Sequence, residues 1–150
     1  MISGLTIKSL SKNTDARGWL AEIFRSDEWI FPVAMAYASL TLPGVVRGPH
    51  EHKNQSDGFV FFGPGSFKLY LWDARLNSPT RGKKMELIVG VDNPCLVIIP
   101  PGVVHGYKCV SQEAALALNF PDKLYKGEGK KEAVDEIRHE DEDDSPYKIS

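Results

Sequence analysis

What most constrains this chain is its punctuation. Short apolar or alternating runs, each of strand length, are broken by Pro and Gly all the way from residue 5 to residue 120. Residues 5–10 alternate, and 19–24 follow the turn-like Asp15-Ala16-Arg17-Gly18. Residues 33–42 end at Pro43-Gly44, and 59–63 lead through Pro64-Gly65 into 66–73. Residues 85–90, 95–100, 106–110 and 115–120 complete the set. Turn signals recurring roughly every 8–12 residues, with no sustained helical period before residue 127, predict an all-β sandwich or barrel. Within 66–73, Phe67, Leu69 and Leu71 alternate with Lys68, Tyr70 and Trp72. One face is therefore a core face, and the other is free to be wet or to line a site.

A length of 150 residues suits a single domain. Residues 1–126 form that domain in this reading, and 127–150 a separate acidic C-terminal segment, either a cap or a flexible tail. Within it, residues 130–139 could form about two helical turns, and Glu140 to Asp144 are an acidic run. A net charge of −2 excludes a general nucleic-acid binder but not a site for one small anion. No apolar run approaches the ~20 residues of a membrane helix, and nothing reads as a secretory signal, so no membrane partner is expected and the cytoplasm is the default. Cys95 and Cys109 read as small buried apolar groups in a reduced protein.

Of the four histidines, His139 lies in the charged tail and reads as solvated. His50 and His52 would share one side of a strand, with Glu51 on the other and Arg47 nearby. His105 follows a Pro-Pro-Gly turn. Two His-bearing segments beside an arginine suggest a functional cavity.

These segments carry a family resemblance. Gly44, His50-Glu51-His52 and Asp57 resemble the first cupin motif, and Pro100-Pro101-Gly102-Val103-Val104-His105 resembles the second. More specifically, the chain resembles the dTDP-4-dehydrorhamnose 3,5-epimerase family of cupins. The matching pieces are Asp15-Ala16-Arg17-Gly18 with Glu22, residues 44–50, Asp73-Ala74-Arg75 with Ser78-Pro79-Thr80, residues 99–106, and Tyr125, in the family's order. The resemblance implies a jelly-roll β-barrel and a homodimer, for which residues 5–10 are a candidate pairing strand. It also implies a nucleoside-diphosphate sugar as substrate, with epimerisation at C3, C5 or both by proton abstraction next to a 4-keto group. In that reading His50 is the base and Tyr125 the acid. Arg47 and Arg17 hold the diphosphate, Glu22 lies near the nucleotide and His105 lines the cavity. Forked guanidinium groups suit phosphate oxygens. Two simpler readings stand beside these: Arg17 pairs with Asp15, and Arg75 braces a loop.

Three departures matter. The family's base histidine has an aspartate partner on a C-terminal extension; no residue here matches it, although one of Asp141 to Asp144 could substitute. The family has an amide where this chain has His52. With His50, His105 and Asp57, His52 completes a set that suits a divalent transition metal; a metal-free site with no cofactor is preferred, and a metal cupin is the alternative. Last, the family's lysine near the sugar carbonyl falls at Gly58. A 3,4-ketoisomerase and a non-catalytic sugar-binding module are further alternatives.

Overall fold

The computed structural model describes residues 1–28 and 31–150. Its strands fall where the sequence alternates: β1 (Thr6–Ser9), β2 (Lys12–Asp15), β3 (Gly18–Ala21), β4 (Tyr37–Thr41), β5 (Val46–His52), β6 (Asp57–Phe61), β7 (Ser66–Asp73), β8 (Lys84–Gly90), β9 (Cys95–Ile99), β10 (Val103–Cys109), β11 (Ala115–Asn119) and β12 (Glu136–Arg138). They build two five-stranded sheets, ordered β1-β9-β6-β11-β4 and β12-β5-β10-β7-β8, with β2 and β3 as a separate hairpin. The pairing is antiparallel throughout, including β6 with β9 and β11 and β10 with β5 and β7. This is the jelly-roll sandwich expected from the motifs.

The period of two decides what goes inside. Phe59 and Phe61 of β6, Phe67, Leu69 and Leu71 of β7, and Tyr107 of β10 meet in the buried core between the sheets. Val60 of β6 faces the other way, into a cluster with Leu10, Leu96, Ile23 and Phe62. The β2–β3 hairpin adds to that outer face through Trp19, edge-on to Phe62 at 5.5 Å.

The C-terminal segment departs from expectation. The predicted helical turns are absent there; a single 3-10-type turn at Glu128–Lys130 has Gly129 and Lys130 in the left-handed region, at φ +63° and +61°. Residues 136–138, expected in a helix, instead form β12 on the edge of β5, with Glu136 opposite His52, Ile137 opposite Glu51 and Arg138 opposite His50. The backbone of β5 would otherwise present an unpaired edge, and pairing outweighs a weak helical propensity. The tail then crosses the outer face of the second sheet. Tyr147 and Ile149 cover Tyr70, Trp72 and Val104, so the second face of β7 is buried rather than wet. His139, expected to be solvated, is instead half-buried: it sits 4.8 Å from the Tyr147 ring, and its Nε2 is 3.0 Å from Glu51 Oε1. Among the described residues, no helix is long and apolar enough to cross a membrane.

Candidate active site

The site begins with an irregularity in β5. His105 of β10 lies opposite His50, and Tyr107 lies opposite Arg47. Two steps along β10 therefore match three along β5, and the extra residue falls at Gly48-Pro49. A regular strand would send side chains at odd spacing to opposite faces, whereas the bulge lets Arg47 join His50 and His52 on the cavity side. Gly48 makes this possible: its φ is +77°, and a Cβ there would lie 2.8 Å from the His105 carbonyl oxygen. Glu51 turns away to His139.

Arg47, His50, His52 and Tyr125 line one cavity of about 1540 Å³, walled by β4, β5 and residues 121–140. Arg47 is held from below: its Nε donates to Thr41 Oγ1 at 2.9 Å and its Nη2 to the Leu40 carbonyl at 3.1 Å. Tyr125 sits half-exposed on the rim. Tyr37 also faces the cavity, accepts from Asn119 Nδ2 at 2.8 Å, and has its phenol pushed up to about 12 by burial.

Beneath lies a compact polar cluster. Asp57 is fully buried; its Oδ1 accepts from Gln55 Nε2 and Asn119 Nδ2, both at 3.0 Å. Its Oδ2 lies 3.2 Å from His52 Nε2 and 3.2 Å from His105 Nε2. His105 is held on its other side, where Nδ1 lies 2.9 Å from the Val103 carbonyl oxygen. Burial works to raise the Asp57 pKa, but the two histidines outweigh it and hold the carboxyl well below its usual range. Burial likewise works to lower His52, and contact with Asp57 reverses that into a rise. His50 receives no such help. Burial, then the neighbouring His105 and His52, push it down to about 2, so its ring is neutral at physiological pH.

His105, expected to line the cavity, is instead buried in the cluster beneath it and is not among the lining residues, its ring 4.5 Å from that of His50. Arg17 and Glu22 are not among the cavity-lining residues. Arg17 is on the hairpin that covers the outer face of the first sheet, bonded to Asp15 at 2.6 Å. Glu22 follows that hairpin and contacts Arg25 at 3.5 Å. Arg75 braces its loop by bonds to Asp73 and the Ser3 carbonyl. At Gly58 there is no room for the family's lysine: a Cβ would sit 3.1 Å from the Phe120 carbonyl oxygen and 3.2 Å from the Phe31 ring. Asp141, Asp143 and Asp144 are exposed. Sequence reasoning missed Tyr37, Asn119, Asp135 and Glu136, which come to the site through long-range pairing that no local spacing signals. Glu136 lies 3.7 Å from His50 Nδ1, and Asp135 lies 4.0 Å from His52 Nδ1.

The chain is 38% identical over 127 residues to the probable low-salt glycan biosynthesis epimerase Agl13 of Haloferax volcanii, covering 83% of this chain and 81% of that one. It is 36% identical over 126 residues to the spore coat polysaccharide biosynthesis protein SpsL of Bacillus subtilis, covering 83% of each. Among solved structures, the dTDP sugar isomerase from Desulfovibrio desulfuricans G20 superposes with a TM-score of 0.81 at 26% identity, over 91% of this chain and 84% of that one. A 3,5-epimerase from Legionella pneumophila, solved in complex with dTDP-4-keto-L-rhamnose, superposes with a TM-score of 0.72 at 25% identity, over 81% and 68%. Residues 1–143 match the family described as dTDP-4-dehydrorhamnose 3,5-epimerase, and to that family of epimerases this chain belongs.

Proposed function

We propose that this chain epimerises a dTDP-4-keto-6-deoxyhexose at C3, C5 or both, with His50 as the base. The observation that carries the reading is the convergence of a neutral, buried His50 with Arg47 and Tyr125 on one cavity. The 4-keto group acidifies the neighbouring C–H bonds. His50 removes one such proton, the electron pair moves into an enolate, and Tyr125 returns a proton to the opposite face. Arg47 binds the diphosphate, pre-aimed by its bonds to Thr41 and Leu40. With no lysine at position 58, positive charge for the enolate oxygen comes from His52, whose pKa the Asp57 carboxylate 3.2 Å away raises against the effect of burial. This chemistry needs no cofactor. Arg17 and Glu22 are proposed to meet nucleotide only in a homodimer. Such a dimer is supported by β1, which sits at the outer edge of its sheet with a pairing edge to offer. Two free buried cysteines fit a reducing, cytoplasmic setting.

The test is solvent exchange. Incubated with dTDP-4-keto-6-deoxyglucose in heavy water, the protein should introduce deuterium at C3, C5 or both by NMR, and His50→Ala should abolish it while dTDP still binds. Binding without exchange in the wild type overturns the enzyme reading in favour of a binding module, and a 3-keto product reassigns the reaction as isomerisation.

A second reading has one observation in its favour. One ligand atom each from His50, His52, Asp57 and His105 lie within 4.8 Å of one another, with Asp57 and His105 fully buried. Three imidazoles and a carboxylate fit a divalent transition metal, which would polarise the keto oxygen. Near-stoichiometric metal in the purified protein, lost in His52→Ala, would replace the metal-free reading.

A further inference from the structure

A base inside a cavity must carry a positive charge once it has taken its proton. Around His50, burial and the neighbouring His105, His52 and Arg138 all oppose that charge. Asp57 favours it, yet both Asp57 oxygens are engaged elsewhere: Oδ1 by Gln55 and Asn119, Oδ2 by His52 and His105. The carboxylate that reaches the His50 ring is Glu136. Its Oε1 lies 3.7 Å from His50 Nδ1, and both side chains are largely buried. Its Oε2 accepts from Arg138 Nε at 2.9 Å, which fixes the carboxylate's orientation.

This acid does not ride on a loose tail. β12 places Glu136 directly opposite His52, so it is the diagonal neighbour of His50 on the same face. The strand is pinned at both ends. Before it, Asp135 Oδ2 accepts the backbone N–H of Asn54 and of Gln55, each at 2.9 Å. After it, the backbone N–H of His139 and of Glu140 donate to the Pro49 carbonyl at 2.9 and 3.1 Å. Residues on either side of His50 are thus tied to residues on either side of Glu136.

We propose that Glu136 is the positioning carboxylate of His50, filling from β12 the role for which no sequence match exists. It holds the ring with Nδ1–H toward the acid and leaves Nε2 as the nitrogen that accepts the substrate proton. In the step itself the C–H bond breaks, its electron pair enters the enolate, and the proton goes to Nε2. Glu136 stays ionised and offsets the new charge; it takes no proton. Such contacts are commonly long in a free site and tighten when substrate closes over it. This inference rests on His50 being the base.

The experiment compares wild type, His50→Asn, Glu136→Gln and Glu136→Asp by initial rates of exchange over a range of substrate concentrations, with dTDP affinity and melting temperature measured in parallel. Glu136→Gln should lower kcat about a hundredfold or more, leaving KM and dTDP affinity within about twofold. Glu136→Asp, which keeps the charge on a shorter arm, should recover part of the lost kcat. A Glu136→Gln enzyme with near wild-type kcat beside a dead His50→Asn overturns the role of Glu136 and leaves the base intact. No exchange in any variant, wild type included, overturns both. Should Glu136→Gln fail to fold, Glu136→Asp decides: unchanged kcat overturns the proposal, and reduced kcat at constant KM supports it.

Discussion

The depressed pKa of His50 makes a quantitative demand on stability. In an unfolded chain the ring titrates near its ordinary value of 6.5, while in the fold it is pushed down to about 2. Below pH 6.5 the unfolded chain takes up a proton that the folded one refuses, so acid draws the equilibrium toward unfolding. The sign is unambiguous: this contribution is fully present above the unfolded pKa and is lost progressively as pH falls from 6.5 toward 2. Each unit costs about 1.36 kcal/mol, so going from pH 7.5 to 5.0 should remove about 2 kcal/mol through this group alone. That is a sizeable fraction of the roughly 5–15 kcal/mol typical of a domain. Other groups titrate in the same window; His52, whose pKa is raised by Asp57, works in the opposite direction. The comparison that isolates His50 is therefore wild type against His50→Asn. Urea unfolding followed by tryptophan fluorescence at several pH values between 5.0 and 7.5 gives both curves, with the buried Trp72 as a natural reporter. The variant should lose about 2 kcal/mol less than wild type over that interval. Curves parallel to within about 0.5 kcal/mol would refute the buried, neutral His50.

Three further outcomes follow from the geometry. Arg47→Ala should weaken dTDP binding by roughly ten- to a hundredfold in calorimetry, the worth of a charge-assisted contact, with kcat changed far less; an unchanged affinity removes Arg47 from the diphosphate. Tyr125→Phe keeps the ring but loses the hydroxyl proposed as the acid, so deuterium exchange should persist while release of epimerised product drops about a hundredfold; product formed at the wild-type rate would assign the second proton to another group. Gly48→Ala should cost roughly 3 kcal/mol in denaturation and abolish turnover, because the new methyl meets the His105 carbonyl at 2.8 Å and His50 Nδ1 at 3.0 Å. Gly44→Ala is its control: Gly44 also has positive φ, +75°, but open space around it, so it should lose about 1–2 kcal/mol and keep activity.

Much of the sandwich was legible because a strand writes its own faces into the sequence. Phe67, Leu69 and Leu71 read as a core face before any partner is known, and they are in the core. The second face of the same strand was not legible. Tyr70 and Trp72 look equally suited to solvent or to a site, and the covering Tyr147 and Ile149 lie more than seventy residues later. The stretch around Glu136 misled for a related reason. Its charges and its Ala and Glu residues suit a helix locally, yet the free edge of β5 offers a hydrogen-bonding partner that no local rule contains.

The placing of Arg47 beside His50 shows the same limit more sharply. Arg47 and His50 are three apart, and in an unbroken strand that spacing predicts opposite faces. Their shared cavity depends on the extra residue at Gly48-Pro49, whose positive φ and close approach to the His105 carbonyl leave no room for a side chain. The sequence marks that place with a glycine and a proline but does not say which way the strand resumes. The bulge also sets what β12 meets: because β5 resumes with His50 and His52 on the cavity side, an antiparallel neighbour with Glu136 opposite His52 must turn its carboxylate toward that same side. One inserted residue in β5 therefore fixes both the cavity-facing Arg47 and the acid beside His50. Restoring regular pairing by deleting Pro49 should then cost nucleotide affinity and turnover together, whereas Glu136→Gln should cost turnover alone. Parallel dTDP titration and exchange kinetics on the two variants separate these effects, and a Pro49 deletion that kept wild-type affinity would break the link between the bulge and the site.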